Sequence, residues 1–191
     1  GAEIQPGRTD AIVYDDGRQE HIDDPVEALK RTDDARVEYE YAYSSDLIPD
    51  DGGEFSLWRY RDLLPLPDGP VQYPLAIGGT PLHPVPGLRD LLGMPDLWIK
   101  DETRTPTGSN KDRATALVLE HAIRDQRPVV SCASTGNVAV SLAVGSAAAG
   151  KQAVIFVPAH VSESKLTLMR LAGATVLKVR QGYDAAFKLS P

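Results

Sequence analysis

The sequence predicts an α/β protein built on a parallel sheet of βαβ units, and three observations predict it. From Leu97 onward, short apolar runs bounded by turn residues alternate with stretches that are apolar at helical spacing. The apolar run Pro128-Val129-Val130 turns through Ser131-Cys132-Ala133-Ser134-Thr135-Gly136-Asn137 into a helical stretch rich in Ala, Val and Leu. Lys111 falls on the first turn of another helical stretch, after Pro106 and a Gly-Ser turn in which Ser109 is a candidate N-cap.

Taken in order, residues 1–56 read as an N-terminal extension with a strand at Ala11–Tyr14, a short helix near Pro25–Arg31 and a strand at Val37–Tyr43. Proline is dense from Pro65 to Pro86, which argues for an extended connector wrapping the surface. Then come a strand at Leu97–Lys100, a helix at Lys111–Asp125, a strand at Val129–Ala133, a helix at Val138–Ala149, a strand at Ala153–Pro158, a helix at Ser162–Leu171 and a strand at Thr175–Val179. Strands alternating with helices imply right-handed βαβ units. Ligands of such sheets bind beyond the carboxyl ends of the strands, where the Lys111 and Ser134 loops both fall.

Composition narrows the function classes. Of 191 residues, 42% are hydrophobic and 25% charged, and no apolar run approaches the ~20 residues that span a bilayer, so no membrane segment is expected. Gly1 to Asp10 hold no apolar core of a secretory signal. The net charge of −7 comes mostly from the first half, where acidic pairs such as Asp15-Asp16 and Asp33-Asp34, typical of solvated turns, recur, and the basic residues form no stripe; neither a metal site nor nucleic-acid binding is expected. A lone cysteine, Cys132, excludes an intrachain disulfide and a cysteine-ligated zinc ribbon, and the default setting is the cytoplasm.

The chemistry sits in two loops. A cation on a first helical turn opposes the positive end of the helix dipole, so the position favours a lysine working as a neutral amine, as Schiff-base formation with an aldehyde requires. Taken alone, Lys111 also fits a surface lysine balanced by Asp112. The Ser134–Asn137 turn offers backbone N–H groups and hydroxyls to a carboxylate or phosphate, and taken alone it also fits a helix cap at Ser134 or Thr135 with Gly136 relieving a tight turn.

Together these residues resemble the pyridoxal-phosphate (PLP) enzymes of fold type II, the tryptophan-synthase-β-like fold, and within them the threonine synthases. Ser109-Asn110-Lys111-Asp112-Arg113 is similar to that family's Ser-x-Lys-Asp-Arg loop, and Ser134-Thr135-Gly136-Asn137 to its Ser-Thr-Gly-Asn loop. Leu57 to Pro65, with Trp58-Arg59-Tyr60-Arg61, resembles a segment that precedes the catalytic domain. Ile77-Gly78-Gly79-Thr80-Pro81-Leu82 resembles the Gly-Glu-Gly-Asn-Thr-Pro-Leu loop, and Leu97-Trp98-Ile99-Lys100-Asp101-Glu102 the strand and acidic turn leading to the lysine. Two departures fall toward the substrate side: Asn110 stands where an aromatic residue is usual, and the Gly-Gly-Thr loop lacks the family's Glu and Asn.

The resemblance implies PLP as cofactor, with Lys111 as the Schiff-base lysine and base at Cα. It implies that Asn137 hydrogen-bonds the cofactor's phenolic oxygen, that Ser109 helps position Lys111, and that Ser134, Thr135 and Gly136 receive the substrate carboxylate. Asp112 and Arg113 are expected to pair as a supporting salt bridge. The implied reaction converts O-phosphohomoserine and water to threonine and phosphate. The alternatives are β-elimination or replacement, as in threonine/serine dehydratases and cysteate synthases, or a non-catalytic subunit. No phosphate site for the substrate is located; Lys165, Arg170 and Lys188 read as solvent-facing, as do His83 and His121, and His160 at a strand end is the one histidine to test.

The expected domains are residues 57–150 as part of the PLP-binding large domain and 151–191 as the start of a smaller α/β domain. Threonine synthases are roughly twice as long as this chain, so the fold is expected to be incomplete here. The chain ends in a helical stretch whose Tyr183, Ala186 and Phe187 are expected to lack a partner. A piece of a longer chain, half of a split enzyme completed by a C-terminal partner, or a degenerate binder each fits; a homodimer is the other expected assembly.

Overall fold

The computed structural model describes residues 9–14, 19–21, 37–41, 44, 47, 49, 53–180 and 182–189. The chain divides into two compact units, Gly1–Pro70 and Val71–Pro191.

In the first unit, Thr9–Tyr14 (β1), Gln19–His21 (β2) and Val37–Tyr41 (β3) form an antiparallel sheet in the order β2-β1-β3. Val37-Glu38-Tyr39-Glu40-Tyr41 alternates with the period of two that suits a strand. Both strands expected in this region are present; the helix expected near Pro25–Arg31 lies outside the described residues. The Trp-Arg-Tyr-Arg segment is a 3₁₀ stretch, Leu57–Leu63, started by Ser56, whose hydroxyl accepts the Trp58 N–H at 3.1 Å. Trp58 is buried, and the Arg61 guanidinium holds the following turn through the Gly69 and Pro67 carbonyls at 2.8 and 3.2 Å.

In the second unit, the proline-dense stretch is more than a connector. Leu82–Pro84 forms β4, and Pro86–Leu92 forms α1, with proline in the first helical turn and Gly93 at φ +63 ending it. The strand expected at Leu97–Lys100 appears as Trp98–Lys100 (β5), but it pairs antiparallel with β4 instead of joining the parallel sheet. Its three residues are all exposed, whereas a strand inside a parallel sheet needs both faces covered.

The βαβ part follows the expected pattern within one residue at each boundary: Lys111–Arg124 (α2), Val129–Ala133 (β6), Asn137–Ala148 (α3), Gln152–Pro158 (β7), Glu163–Leu171 (α4) and Thr175–Val179 (β8). The three strands run parallel in the order β6-β7-β8, with Cys132 opposite Ile155 and Ile155 opposite Val176. Alternate residues of a strand share a face, so Ile155 and Val157 of β7 join Ala139 and Ala143 of α3 and Leu166 and Met169 of α4 in one buried cluster. Ile155, Leu166 and Met169 are fully buried, each stabilising the fold by about 1.5–3 kcal/mol.

Tyr183–Leu189 forms α5, which packs on β6, β7 and β8. Ala186 is fully buried by that contact, contrary to the expectation that it lacks a partner, while Tyr183 and Phe187 are exposed. Among the described residues no helix is long and apolar enough to cross a membrane, and no group of three His, Cys, Asp or Glu side chains could hold a metal ion.

Candidate active site

The approach to Lys111 is built from side chains that pin the backbone. Asp101 starts a 3₁₀ turn, Glu102–Arg104, by accepting the Thr103 N–H at 3.1 Å and its hydroxyl at 2.6 Å. Thr105 closes the next turn: its hydroxyl donates to the Ser109 carbonyl and accepts the Ser109 N–H, both at 2.9 Å. Gly108 sits at φ +69, a left-handed value that suits glycine. Lys111 is then the first residue of α2, with its side chain exposed.

Ser109 is not the N-cap expected from the sequence. Asn110 holds that position without a side-chain cap hydrogen bond, and the Ser109 hydroxyl instead accepts the Lys111 N–H at 3.3 Å. The expected Asp112–Arg113 salt bridge is also absent from this geometry, because adjacent helical residues do not face each other. Asp112 turns inward, where its carboxylate accepts the Thr107 N–H at 2.7 Å and the Thr107 hydroxyl at 2.6 Å.

Arg113 turns the other way and grips Glu102 with two parallel bonds, Nε to Oε2 at 2.7 Å and Nη2 to Oε1 at 2.8 Å. Thr80 completes the group by donating its hydroxyl to Glu102 Oε1 at 2.6 Å, and the Lys100 amine donates to the Thr80 carbonyl. The Arg113 hydrogen bonds come first among the causes that hold the Glu102 carboxyl down at about 2, against an ordinary 4.5. An open depression of about 420 Å³ beside this bracket is lined in part by Lys100, Glu102, Ser109 and Asn110.

The second loop follows β6. Ser134 accepts the Gly136 N–H at 3.1 Å, so its hydroxyl shapes the turn instead of capping the helix. Gly136 is the N-cap of α3, no side chain caps it, and the first turn carries no acidic residue. The leading N–H groups of α3 and the positive end of its dipole are therefore left open to an anion. Ser134, Thr135 and Gly136 are half-buried and Asn137 is exposed.

Helix packing brings the two loops to one end of the unit. Gly145 of α3 lies so close to α2 that a Cβ there would be 2.7 Å from both Leu119 Cδ1 and the Tyr73 hydroxyl. Leu119 is eight positions after Lys111 and Gly145 is eight positions after Asn137. Since α2 leads into β6 and β6 into α3, the two helices run the same way, and each N-terminus projects ~12 Å beyond that contact. Tyr73 is fixed behind it: the Gln72 and Tyr73 N–H groups both donate to Oε2 of the fully buried Glu120 at 2.8 Å, and Arg124 holds Oε1 at 2.6 Å. Burial, followed by the negative Asp112, pushes the Tyr73 phenol up to about 12. Burial likewise pushes the Cys132 thiol up to about 11, which leaves no thiolate nucleophile on β6.

An exposed primary amine on a braced helix start, next to a helix that offers uncapped N–H groups, suits a cofactor carrying an aldehyde together with an acidic ligand. The model for pyridoxal-phosphate dependent enzymes matches residues 73–190. This chain belongs to the pyridoxal-phosphate dependent enzymes. It is similar to the threonine synthase of Methanocaldococcus jannaschii, 36% identical over 79% of this chain and 38% of that protein, and to the threonine synthase of Methanosarcina acetivorans, 38% identical over 70% and 33%. Among solved structures, threonine deaminase isoform 2 of Solanum lycopersicum matches with a TM-score of 0.53 at 26% identity, covering 57% of this chain and 30% of that one. Cysteine synthase of Entamoeba histolytica matches with a TM-score of 0.50 at 26% identity, covering 58% and 35%. The family relation and the parallel sheet agree with the fold type II expectation.

Sequence reasoning missed the roles of Thr80, Glu102, Thr107 and Glu120. Thr80 and Glu102 stand in motifs that the sequence displays, but their bonds to Arg113 span 33 and 11 residues, and spacing alone does not reveal such pairings. His160 lies exposed in the turn after β7, and Lys165, Arg170 and Lys188 lie on α4 and α5 outside both loops.

Proposed function

We propose that this chain carries the lysine and carboxylate loops of a threonine synthase-like carbon–oxygen lyase, which converts O-phosphohomoserine and water to threonine and phosphate. The observation that supports it best is the exposed Lys111 at the braced start of α2, side by side with the uncapped start of α3. The residues fit PLP: the exposed Lys111 amine would be the attachment point for its aldehyde, with Ser109, which accepts the Lys111 N–H, positioning the lysine, and Asn137 would hydrogen-bond its phenolic oxygen. When bound, PLP supplies an electron sink for charge that develops at Cα.

The remaining work belongs to the protein. The α3 N–H groups and the Ser134 and Thr135 hydroxyls would bind the substrate carboxylate and orient the Cα–H bond, joined by the Gly136 N–H once it turns from the Ser134 hydroxyl to the carboxylate. Lys111 would take the Cα proton and return it along the substrate, as a base held at a fixed point can. Glu102 and Arg113 act through the backbone: their paired charges keep the first turn of α2 in place.

The chain spans 38% of the length of the Methanocaldococcus jannaschii relative. The full activity is therefore proposed for the whole protein, with a complementing C-terminal half or a second copy as its assembly and the cytoplasm as its setting. A second reading, β-elimination or replacement, is favoured by the structural likeness to a threonine deaminase and a cysteine synthase. Product analysis of the PLP-loaded assembly with phosphohomoserine, phosphoserine and threonine separates the readings. Threonine formed only from phosphohomoserine is the expected outcome; 2-oxobutyrate from threonine favours the second reading.

A further inference from the structure

Asp112 spends both of its carboxylate oxygens on one residue. It is 3% exposed, immediately follows Lys111, and accepts the Thr107 N–H at 2.7 Å and the Thr107 hydroxyl at 2.6 Å. A buried carboxylate is costly unless its oxygens are satisfied. Here the satisfaction comes from the loop that delivers the lysine and from the positive end of α2, in whose first turn Asp112 stands. The same loop is tied internally by Thr105 to Ser109, and Ser109 in turn accepts the Lys111 N–H. Arg113 meanwhile anchors to Glu102. The two residues after Lys111 thus fasten it to two different segments.

We infer that Asp112 is a positioning residue: by clasping Thr107 it makes the 105–110 loop and the first turn of α2 one rigid unit, so that the Lys111 amine projects from a fixed point. The clasp rests on the reading of Lys111 as the reactive amine. An asparagine at this position keeps both contacts, since its amide oxygen accepts the Thr107 N–H and its amide N–H donates to the Thr107 hydroxyl oxygen. An alanine keeps neither, and Thr107→Val removes only the hydroxyl bond.

The test compares the full chain with D112A, D112N and T107V by hydrogen exchange and by borohydride trapping of added PLP with peptide mapping. In D112A, exchange across residues 105–112 rises about tenfold while the centre of α2 is unchanged, as expected of a local opening. The share of trapped adduct on Lys111, relative to the other lysines, falls at least about threefold as the amine loses its fixed geometry. D112N restores both readouts and T107V lies between. A folded D112A chain with unchanged exchange overturns the clasp, and so does a loosened loop with an undiminished Lys111 share. If D112A does not fold, T107V carries the same decision. The exchange arm needs no cofactor: a loop that loosens on substitution, in a chain that never traps PLP on Lys111, upholds the clasp and contradicts the cofactor reading instead.

Discussion

Glu102 shows what a single side chain contributes at the edge of the site. Its carboxylate is a quarter exposed and held by Arg113 in two parallel bonds, so it resists protonation down to about 2 where a free glutamate titrates at 4.5. The folded state therefore binds fewer protons than the unfolded chain between those values; the stabilisation is complete above about pH 4.5 and is lost as pH falls toward about 2. Glu102→Gln is expected to cost about 1 kcal/mol at neutral pH, the upper end for a solvent-touching pair, or roughly 2–4 °C in Tm. Thermal midpoints of both proteins, followed from neutral pH down to about pH 2, should show the gap closing as acid is added. A gap that stays constant assigns the effect to shape and not to charge.

Among the elements, the contact between α2 and α3 ties together the helices that begin at Lys111 and Asn137. Gly145 is there because a side chain would collide with Leu119 and Tyr73, both held from behind by the helix core and by Glu120. Gly145→Ala is expected to destabilise by about 1–3 kcal/mol despite the better helix propensity of alanine, measured as a shift in denaturation midpoint. An unchanged or raised midpoint would mean that the two helices separate without cost. The βαβ elements were legible because periodicity and turn chemistry act locally: Val129–Ala133 and Thr175–Val179 appear with their expected bounds. The loops bearing Lys111 and Asn137 were legible as motifs for the same reason. What stayed hidden was non-local or a matter of direction. The antiparallel pairing of β5 with β4, the α1 helix that starts where the proline-dense stretch ends, and the different partners of Asp112 and Arg113 depend on contacts that spacing does not name.

For the whole molecule, the second unit carries the Ser134 loop at the carboxyl end of β6 in a three-stranded parallel sheet and Lys111 at the start of α2, and the chain spans 38% of the length of its Methanocaldococcus jannaschii relative. Apolar side chains such as Leu91 and Leu171 remain largely exposed on it, an arrangement that suits a further partner surface. We propose that Lys111 is the amine that meets PLP, and incubating the chain with PLP, reducing with borohydride and mapping the adduct, with Lys111→Ala as control, decides it. The prediction is a stoichiometric adduct on Lys111 that disappears in the variant together with any turnover of the assembled enzyme. An adduct scattered over surface lysines with none on Lys111, or turnover retained in Lys111→Ala, would contradict it.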